Sequence, residues 1–391
     1  MSFNLIRNAR MFFTTNVNQN TGVVGNSGFT SSNTFEIQIL DGFSFSQNTT
    51  SETVTINEAG ASPVRGQRSF NTALDPVEFT FSTYIRPKFQ EGALADPDNT
   101  DDYIDAEEAV LWNAIAGTVA KGSSGSAWTA TSGASPVSKV SFAGSNVHQL
   151  QKFGVIIALD SSSYIIDNCA LDQATIDFGI DAIATIQWTG RGTTLRNVQI
   201  IASTTDPVAL SGTYLSGTNN AKAKDTTAPY IANKLSTLTI VKGISGNGTT
   251  SYSIPLTGGS FTLANNLTYL TPANLGIVNT PITYFTGTRS VTGTINAYLR
   301  TGTTNTAGLL ADMLTNSSSD VDPEYKVELK IGGNNNVRAE LLMNACVLTI
   351  PTISTEQVVS TSINFTAQGY SGTTFDLTNT NEVEVKYYSA V

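Results

Sequence analysis

The sequence predicts a mainly β protein in which one domain occurs twice in tandem, each copy carrying a single helix. Three observations carry that prediction. The chain repeats itself in order; its strand-like segments alternate dry and wet residues; and its 391 residues are rich in Thr, Ser, Asn and Gly while only 13% are charged. A chain of this length can build two full cores, and the repeat sets the number of domains at two.

The repeat is read in five places. Ile6-Arg7-Asn8 matches Ile231-Ala232-Asn233, and Phe43-Ser44-Phe45 matches Phe261-Thr262-Leu263. Tyr84-Ile85-Arg86 matches Tyr298-Leu299-Arg300, Cys169-Ala170-Leu171 matches Cys346-Val347-Leu348, and Ile186-Gln187-Trp188-Thr189 matches Ile363-Asn364-Phe365-Thr366. The spacing between partners never rises along the chain, so one collinear duplication explains all five, with the extra residues in the first copy. This divides the chain into a first domain at 1–202, a polar, turn-rich linker at 203–228 and a second domain at 229–391. The two cysteines hold equivalent places in the two copies, which keeps them too far apart for a disulfide and predicts two buried core thiols.

The strands follow from period-two alternation. Val77, Phe79, Phe81 and Ile85 form one face of the segment at 76–86, and Glu78, Thr80, Ser82, Tyr84 and Arg86 form the other. The second copy repeats this with Val291, Ile295, Ala297 and Leu299 against Thr292, Thr294, Asn296, Tyr298 and Arg300. The late strands set Ile186 and Trp188 against Thr185, Gln187 and Thr189, and Ile363 and Phe365 against Ser362, Asn364 and Thr366. Long strands that are dry on one side and carry small uncharged polar groups on the other suit the wall of a water-filled barrel; any half-exposed sheet has the same alternation. The helix of the first copy is expected after the acidic run Asp101-Asp102, with Ile104, Leu111, Ile115 and Trp112 near one face and Glu107 and Glu108 at its positive end. In the second copy Asn305 or Thr306 opens a helix containing Leu309, Leu310, Met313 and Leu314. Gly122 to Ser135 is a Gly/Ser-rich insertion of the first copy.

The chemistry that the chain lacks narrows its function. Its net charge of −10 argues against a protein that grips phosphates, because that grip needs clustered Lys and Arg. It does not argue against one that lets nucleic acid pass. The sole histidine, His148, and two distant cysteines offer neither an imidazole-based hydrolytic site nor a zinc site, so no enzyme activity, metal or cofactor is expected. Asp96-Pro97-Asp98-Asn99 opens like a calcium loop but lacks the glycine and the remaining ligand spacing. No basic segment leads into an apolar one at the start, and no apolar stretch exceeds a core strand, so folding in a cytoplasm without membrane insertion is expected. The sequons at Asn48, Asn247, Asn266, Asn316 and Asn364 are then chance matches.

Several stretches carry a family likeness: Asn4 to Phe13 (NLIRNARMFF), Thr55 to Arg86 (TINEAGASPVRGQRSFNTALDPVEFTFSTYIR), VLWNAI, Tyr164 to Asp172 (YIIDNCALD), TIQWTG and Leu256 to Pro272 (LTGGSFTLANNLTYLTP). In these the chain resembles the major tail tube proteins of long non-contractile bacteriophage tails, siphovirus-type and T-five-like, with two tube domains fused in one polypeptide. The resemblance implies two tandem duplicated β-sandwich tube domains, each with a flanking helix, whose inner sheets join into a ring β-barrel on oligomerisation. It implies trimeric rings with pseudo-sixfold symmetry that stack into a tube, assembled in the host cytoplasm and carried in the virion tail. The partners implied are further copies of the chain, the tape-measure protein and double-stranded DNA in the lumen, and the tail terminator and distal tail proteins at the ends. Some relatives carry a further immunoglobulin-like domain, whereas this sequence ends at Val391.

On this reading the polar faces line the lumen: Glu78, Thr80, Ser82, Tyr84, Arg86, Gln187, Thr189, Thr292, Thr294, Asn296, Tyr298, Arg300, Asn364 and Thr366. The segment Asn57 to Asn71 corresponds to the long loop that in this family reaches neighbouring subunits or rings. Asn57, Glu58, Arg65, Gly66 and Arg68 are its expected contacts, with Arg65 and Arg68 either meeting carboxylates of an adjacent subunit or standing as solvated loop charges. The alternatives are the inner tube of a contractile tail, which needs a sheath, a β-rich adhesin or carbohydrate-binding protein, and a tail-associated glycosidase.

Overall fold

A computed structural model describes residues 9–25, 28–30, 32–54, 68–90, 103–132, 137–142, 149–159, 162–198, 230–319, 324–334, 337–354, 358–376 and 378–389. The expected linker, His148, the Asp96 to Asn99 segment and the Asp101-Asp102 pair lie outside these residues.

The first copy begins with β1 (Arg10–Thr14), β2 (Thr34–Ile37), β3 (Ser44–Ser46), β4 (Thr49–Val54), β5 (Arg68–Leu74) and β6 (Val77–Tyr84). A hairpin of β7 (Pro87–Gln90) and β8 (Tyr103–Ala106) leads into helix α1 (Ala109–Ala116), followed by β9 (Trp128–Thr131) and β10 (Val137–Val140). Next come β11 (Phe153–Leu159), the long β12 (Ser162–Gly179), β13 (Thr185–Gly192) and β14 (Thr194–Val198). The second copy has β15 (Thr237–Lys242), β16 (Ser251–Ile254), β17 (Leu256–Ala264), β18 (Leu267–Leu270), β19 (Thr283–Thr286) and β20 (Ser290–Tyr298) before helix α2 (Thr306–Ser319). It closes with β21 (Tyr325–Ile331), β22 (Arg338–Leu348), β23 (Thr352–Ser354), β24 (Ser360–Ala367), the short β25 (Tyr370–Ser371) and β26 (Thr374–Phe375), and β27 (Glu384–Tyr388).

Each copy is a sandwich of antiparallel sheets. In the first, β2, β1, β11, the start of β12 and β14 make one sheet, and β3, β6, β13 and the end of β12 make the other. In the second, β16, β15, β21, β22 and β27 face β17, β20, β24 and the β22–β23 run. The facing sides bury the apolar half of each alternation, and one continuous core runs through both copies. Two tryptophans anchor it edge to face at 5.1 Å, Trp112 on α1 and Trp188 on β13. Their indole N–H groups donate to Tyr387 Oη at 2.7 Å and Thr83 Oγ1 at 2.9 Å, so neither buried donor lacks an acceptor.

The ladders repeat, and they do so in detail. Phe153 faces Cys169 and, after a bulge, Val155 faces Ile166; Tyr325 faces Cys346 and, after a bulge, Val327 faces Met343. Both thiols are buried and free, and they donate to the carbonyls of Ile166 and Met343 respectively. With the cysteines superposed, β13 falls on β24 residue for residue, Thr185 on Ser360 and Gly192 on Ala367. A second bulge recurs in the same frame: Thr175 opposite Gln187 corresponds to Thr352 opposite Ser362, so β23 is the counterpart of the far end of β12. Strand β6 then superposes on β20 with Tyr84 on Tyr298, and Ser44 opposite Thr80 corresponds to Ser260 opposite Thr294.

This frame corrects two of the five matches. Ile186-Gln187-Trp188-Thr189 sits on Thr361-Ser362-Ile363-Asn364, and Phe45 sits on Phe261. Both slips are of two residues, which preserves the face and so leaves no trace in an alternating pattern. Strand β1 aligns with β15, Arg10 with Thr237, so between the Ile6/Ile231 match and these strands the second copy is the longer. A glycine confirms the frame. Gly190 on β13 lies under the Phe79 ring, where an added Cβ would come within 2.3 Å; at the counterpart site Gly293 on β20 lies under Phe365 at 2.4 Å, the ring and the glycine having exchanged strands.

The helices differ from expectation at one end. Residues 103–106 form β8 rather than the first turn of α1, because Pro87–Gln90 pairs with them, so Ile104 is a strand residue. Glu108 stands at the N-cap position without a side-chain capping bond. In the second copy Asn305 precedes α2, its carbonyl accepting the Leu309 N–H at 3.0 Å, and Leu309 and Met313 turn into the core.

Candidate functional site

Two strand pairings weld the copies together, β10 with β27 and β12 with β17. The second fuses the inner sheets, so that β3, β6, β13, β12, β17, β20, β24 and β23 form one wall. Down its open side runs a row of facing residues, Ser82, Gln187, Thr175, Thr262, Thr292 and Thr366, each in register with the next across six strands. Thr80 donates to the Trp188 carbonyl at 3.2 Å, Thr294 to Asn364 Oδ1 at 2.9 Å, and the Thr175 and Thr262 hydroxyls meet at 3.4 Å. These bonds hold the side chains down on the sheet.

Most residues of the polar faces read from the sequence lie on this open side of the sheet. Glu78, Gln187, Asn296, Tyr298, Asn364 and Thr366 are exposed, and Thr80, Ser82, Tyr84, Thr189, Thr292 and Thr294 half-buried. Two expectations need correction. Arg86 is 2% exposed: β6 ends at Tyr84, the chain turns inward, and the guanidinium donates to Gln38 at 2.7 Å and Glu107 at 3.1 Å. Arg300 is exposed but lies past the end of β20. The sequence reading also missed Gln173, Thr175 and Asp177 on β12 and Ser260 and Thr262 on β17, although each alternates with a buried neighbour and so carried the same signal. Arg191, also missed, forms an ion pair with Glu78 at 3.4 Å, leaving little basic charge on the wall.

Two edges of the wall lie open among the described residues. Strand β3 pairs only with β6, and β23 only with β24. Away from the wall, hairpins β4–β5 and β18–β19 project from the two copies and touch where Asn279 exchanges backbone bonds with Thr72 and Leu74. Arg68 lies in the first hairpin with its guanidinium 4.6 Å from the Phe70 ring centre. Asn57, Glu58, Arg65 and Gly66 fall outside the described residues. The tip of the second hairpin is apolar, with Leu275, Ile277, Val278 and Ile282 exposed.

The family described as "Phage tail tube protein" matches residues 21–367, nearly the whole of this architecture. The chain belongs to the phage tail tube family. It is similar to "Tail tube protein pb6" of Escherichia phage T5, with 32% identity over 373 residues that cover 94% of this chain and 73% of that protein. As a phage tail tube protein it is a structural component of the virion tail that assembles with itself and other tail proteins. No helix among the described residues is long and apolar enough to cross a membrane, and none of their His, Cys, Asp and Glu side chains cluster as metal ligands.

Proposed function

We propose that three copies close into a ring in which the free edge of β3 pairs with β23 of the next copy. The observation that carries this is the β12–β17 junction, which joins the first copy's sheet to the counterpart of β3. Transferred by the repeat frame, Thr175 opposite Thr262 becomes Thr352 opposite Ser46, and Asp177 opposite Ser260 becomes Ser354 opposite Ser44. The same junction then occurs six times around the ring, three times within chains and three times between them. Closure removes both open edges, which otherwise invite aggregation.

With eight wall strands per chain, about twenty-four strands spaced ~4.8 Å apart enclose a barrel roughly 40 Å across, a bore wide enough for duplex DNA. The residues of the polar face, Glu78 to Thr366, line this lumen. The wall passes first the tape-measure protein and then the genome, contributes positioning rather than catalysis, and meets terminator and distal tail proteins at the ends of a non-contractile tail. The domains are residues 1–202 and 229–391, joined by 203–228. Rings stack head to tail, a contact that repeats without limit. The segment containing Asn57, Glu58, Arg65, Gly66 and Arg68 serves that contact.

The test is a disulfide. Ser46→Cys with Thr352→Cys, oxidised in assembled tubes, is expected to give covalent dimers and trimers on a non-reducing gel and rings with a central hole in negative stain. Tubes that assemble without any crosslink at this pair refute the closure.

A further inference from the structure

Residues 230–233, at the start of the second copy, supply the first copy with a backbone partner that none of its own described residues provides. Ile183 pairs with Ala232 as an antiparallel bridge, Ala184 N–H donates to the Ile231 carbonyl at 2.8 Å, and Asn233 N–H donates to Ala182 at 3.0 Å. The segment 230–233 thus clips onto the β12–β13 turn and covers the end of β6. Ile231 becomes 2% exposed, while Ala184 and Ile85 are fully buried. Tyr230 meets the Tyr84 ring edge-on at 5.0 Å, and the Arg86 guanidinium lies 4.7 Å from the Tyr230 ring centre.

The same platform exists in the second copy, and no described residue covers it as 230–233 cover the first. Leu299 N–H donates to the Val359 carbonyl at 2.9 Å as Ile85 N–H donates to Ala184 at 3.0 Å, so the two sites share a rung. Yet Val359 is 36% exposed where Ala184 is fully buried, Tyr298 is 48% exposed where Tyr84 is half-buried, and Leu299 is half-buried where Ile85 is enclosed; Arg300 faces solvent where Arg86 is buried, while Val358, at 61%, differs less from Ile183 at 45%. An apolar platform with a backbone edge, complementary to a segment that the sequence repeats as Leu5-Ile6-Arg7-Asn8, names its own occupant.

We propose that the N-terminal segment of one copy clips onto Val358–Val359 of the neighbouring copy, with Ile6 taking the place of Ile231 and Arg7 lying opposite Val358. Leu5 covers Tyr298, and the Ile6 carbonyl accepts the Val359 N–H. The inference rests on the ring reading, because the clip joins the same pair of neighbours as the β3–β23 junction: within the chain, the copy that offers β17 also offers residues 231–233. The clip is a separate contact, on the rim of the wall rather than within it, and locks each junction from outside.

The test is Arg7→Cys with Val358→Cys in the full chain, oxidised in assembled tubes beside the Ser46→Cys, Thr352→Cys pair; the native cysteines are buried and stay silent. Ladders of dimer and trimer from both pairs are expected. A ladder from the 46/352 pair alone, or a 7/358 disulfide closed within one chain, overturns the clip and leaves the ring standing. Absence of both ladders overturns the ring and the clip with it. A second readout avoids cysteines: Ile6→Asp places a charge on the apolar platform, so the assembled fraction is expected to fall severalfold while the melting of the unassembled chain is unchanged. Assembly equal to that of the native chain overturns the proposal.

Discussion

At the scale of the residue, the most informative groups are two carboxylates that the wall does not use. Glu108 is fully buried, accepts the Arg86 backbone N–H at 3.3 Å and lies against Tyr387; burial drives its pKa up to about 7. Glu107 is pushed to about 7 as well, again by burial, with Arg86 and Lys88 pulling the other way. Both pKa values exceed those of the unfolded chain, so the native state holds protons that the unfolded state has released. The stabilisation is complete below about pH 4.5 and is lost as the pH rises through 7, on the order of 3 kcal/mol for each carboxyl. The carboxylates whose pKa is lowered, Glu328 and Asp376, act below this window. The urea midpoint is therefore expected to be higher at pH 5 than at pH 8, and Glu108→Gln is expected to flatten the difference. An unchanged pH slope in that variant contradicts the assignment.

At the scale of the element, the exchanged glycine and phenylalanine make a sharp prediction. A methyl at Gly190 meets both the Phe79 ring and the Ala170 carbonyl, so Gly190→Ala should cost about 1–3 kcal/mol, and Gly293→Ala a similar amount through Phe365 and the Ser260 carbonyl. Thermal unfolding measures this; a variant as stable as the native chain removes the register argument. Such sites also mark what the sequence could and could not disclose. The faces of β6, β13, β20 and β24 were legible because alternation is a local property. Register was not, since Phe45 on Phe261 and Phe43 on Phe261 put the same side chains on the same face, and only the hydrogen-bonded partner tells them apart. Ile104 read as helix because its strand partner, the Pro87–Gln90 segment, is remote in pattern, and Arg86 read as wall because nothing local announces that β6 stops at Tyr84.

At the scale of the whole molecule, the proposed ring asks the wall to hold copies together and yet leave DNA free to slide, and its charge reconciles the two. Non-specific affinity for a duplex comes from cations that displace its counterions, so a face of Ser, Thr, Asn and Gln with its Arg191 paired to Glu78 has little to hold DNA with. Thr262 and Thr292 face each other at mid-wall and are half-buried, so lysines there would project from the open face, into the bore of the proposed ring, without opening the core. Thr262→Lys with Thr292→Lys adds two cations per chain, six per closed ring, repeated along the tail. Tubes should still form, because neither side chain belongs to the β3 or β23 edge. Genome release from such virions should slow severalfold in dilute salt and recover as the ionic strength rises, since each added phosphate contact weakens with salt. Release at the native rate in dilute salt would place the lumen on another surface of the molecule; slowed release that salt does not relieve would point to a bore narrowed by bulk rather than made adhesive by charge.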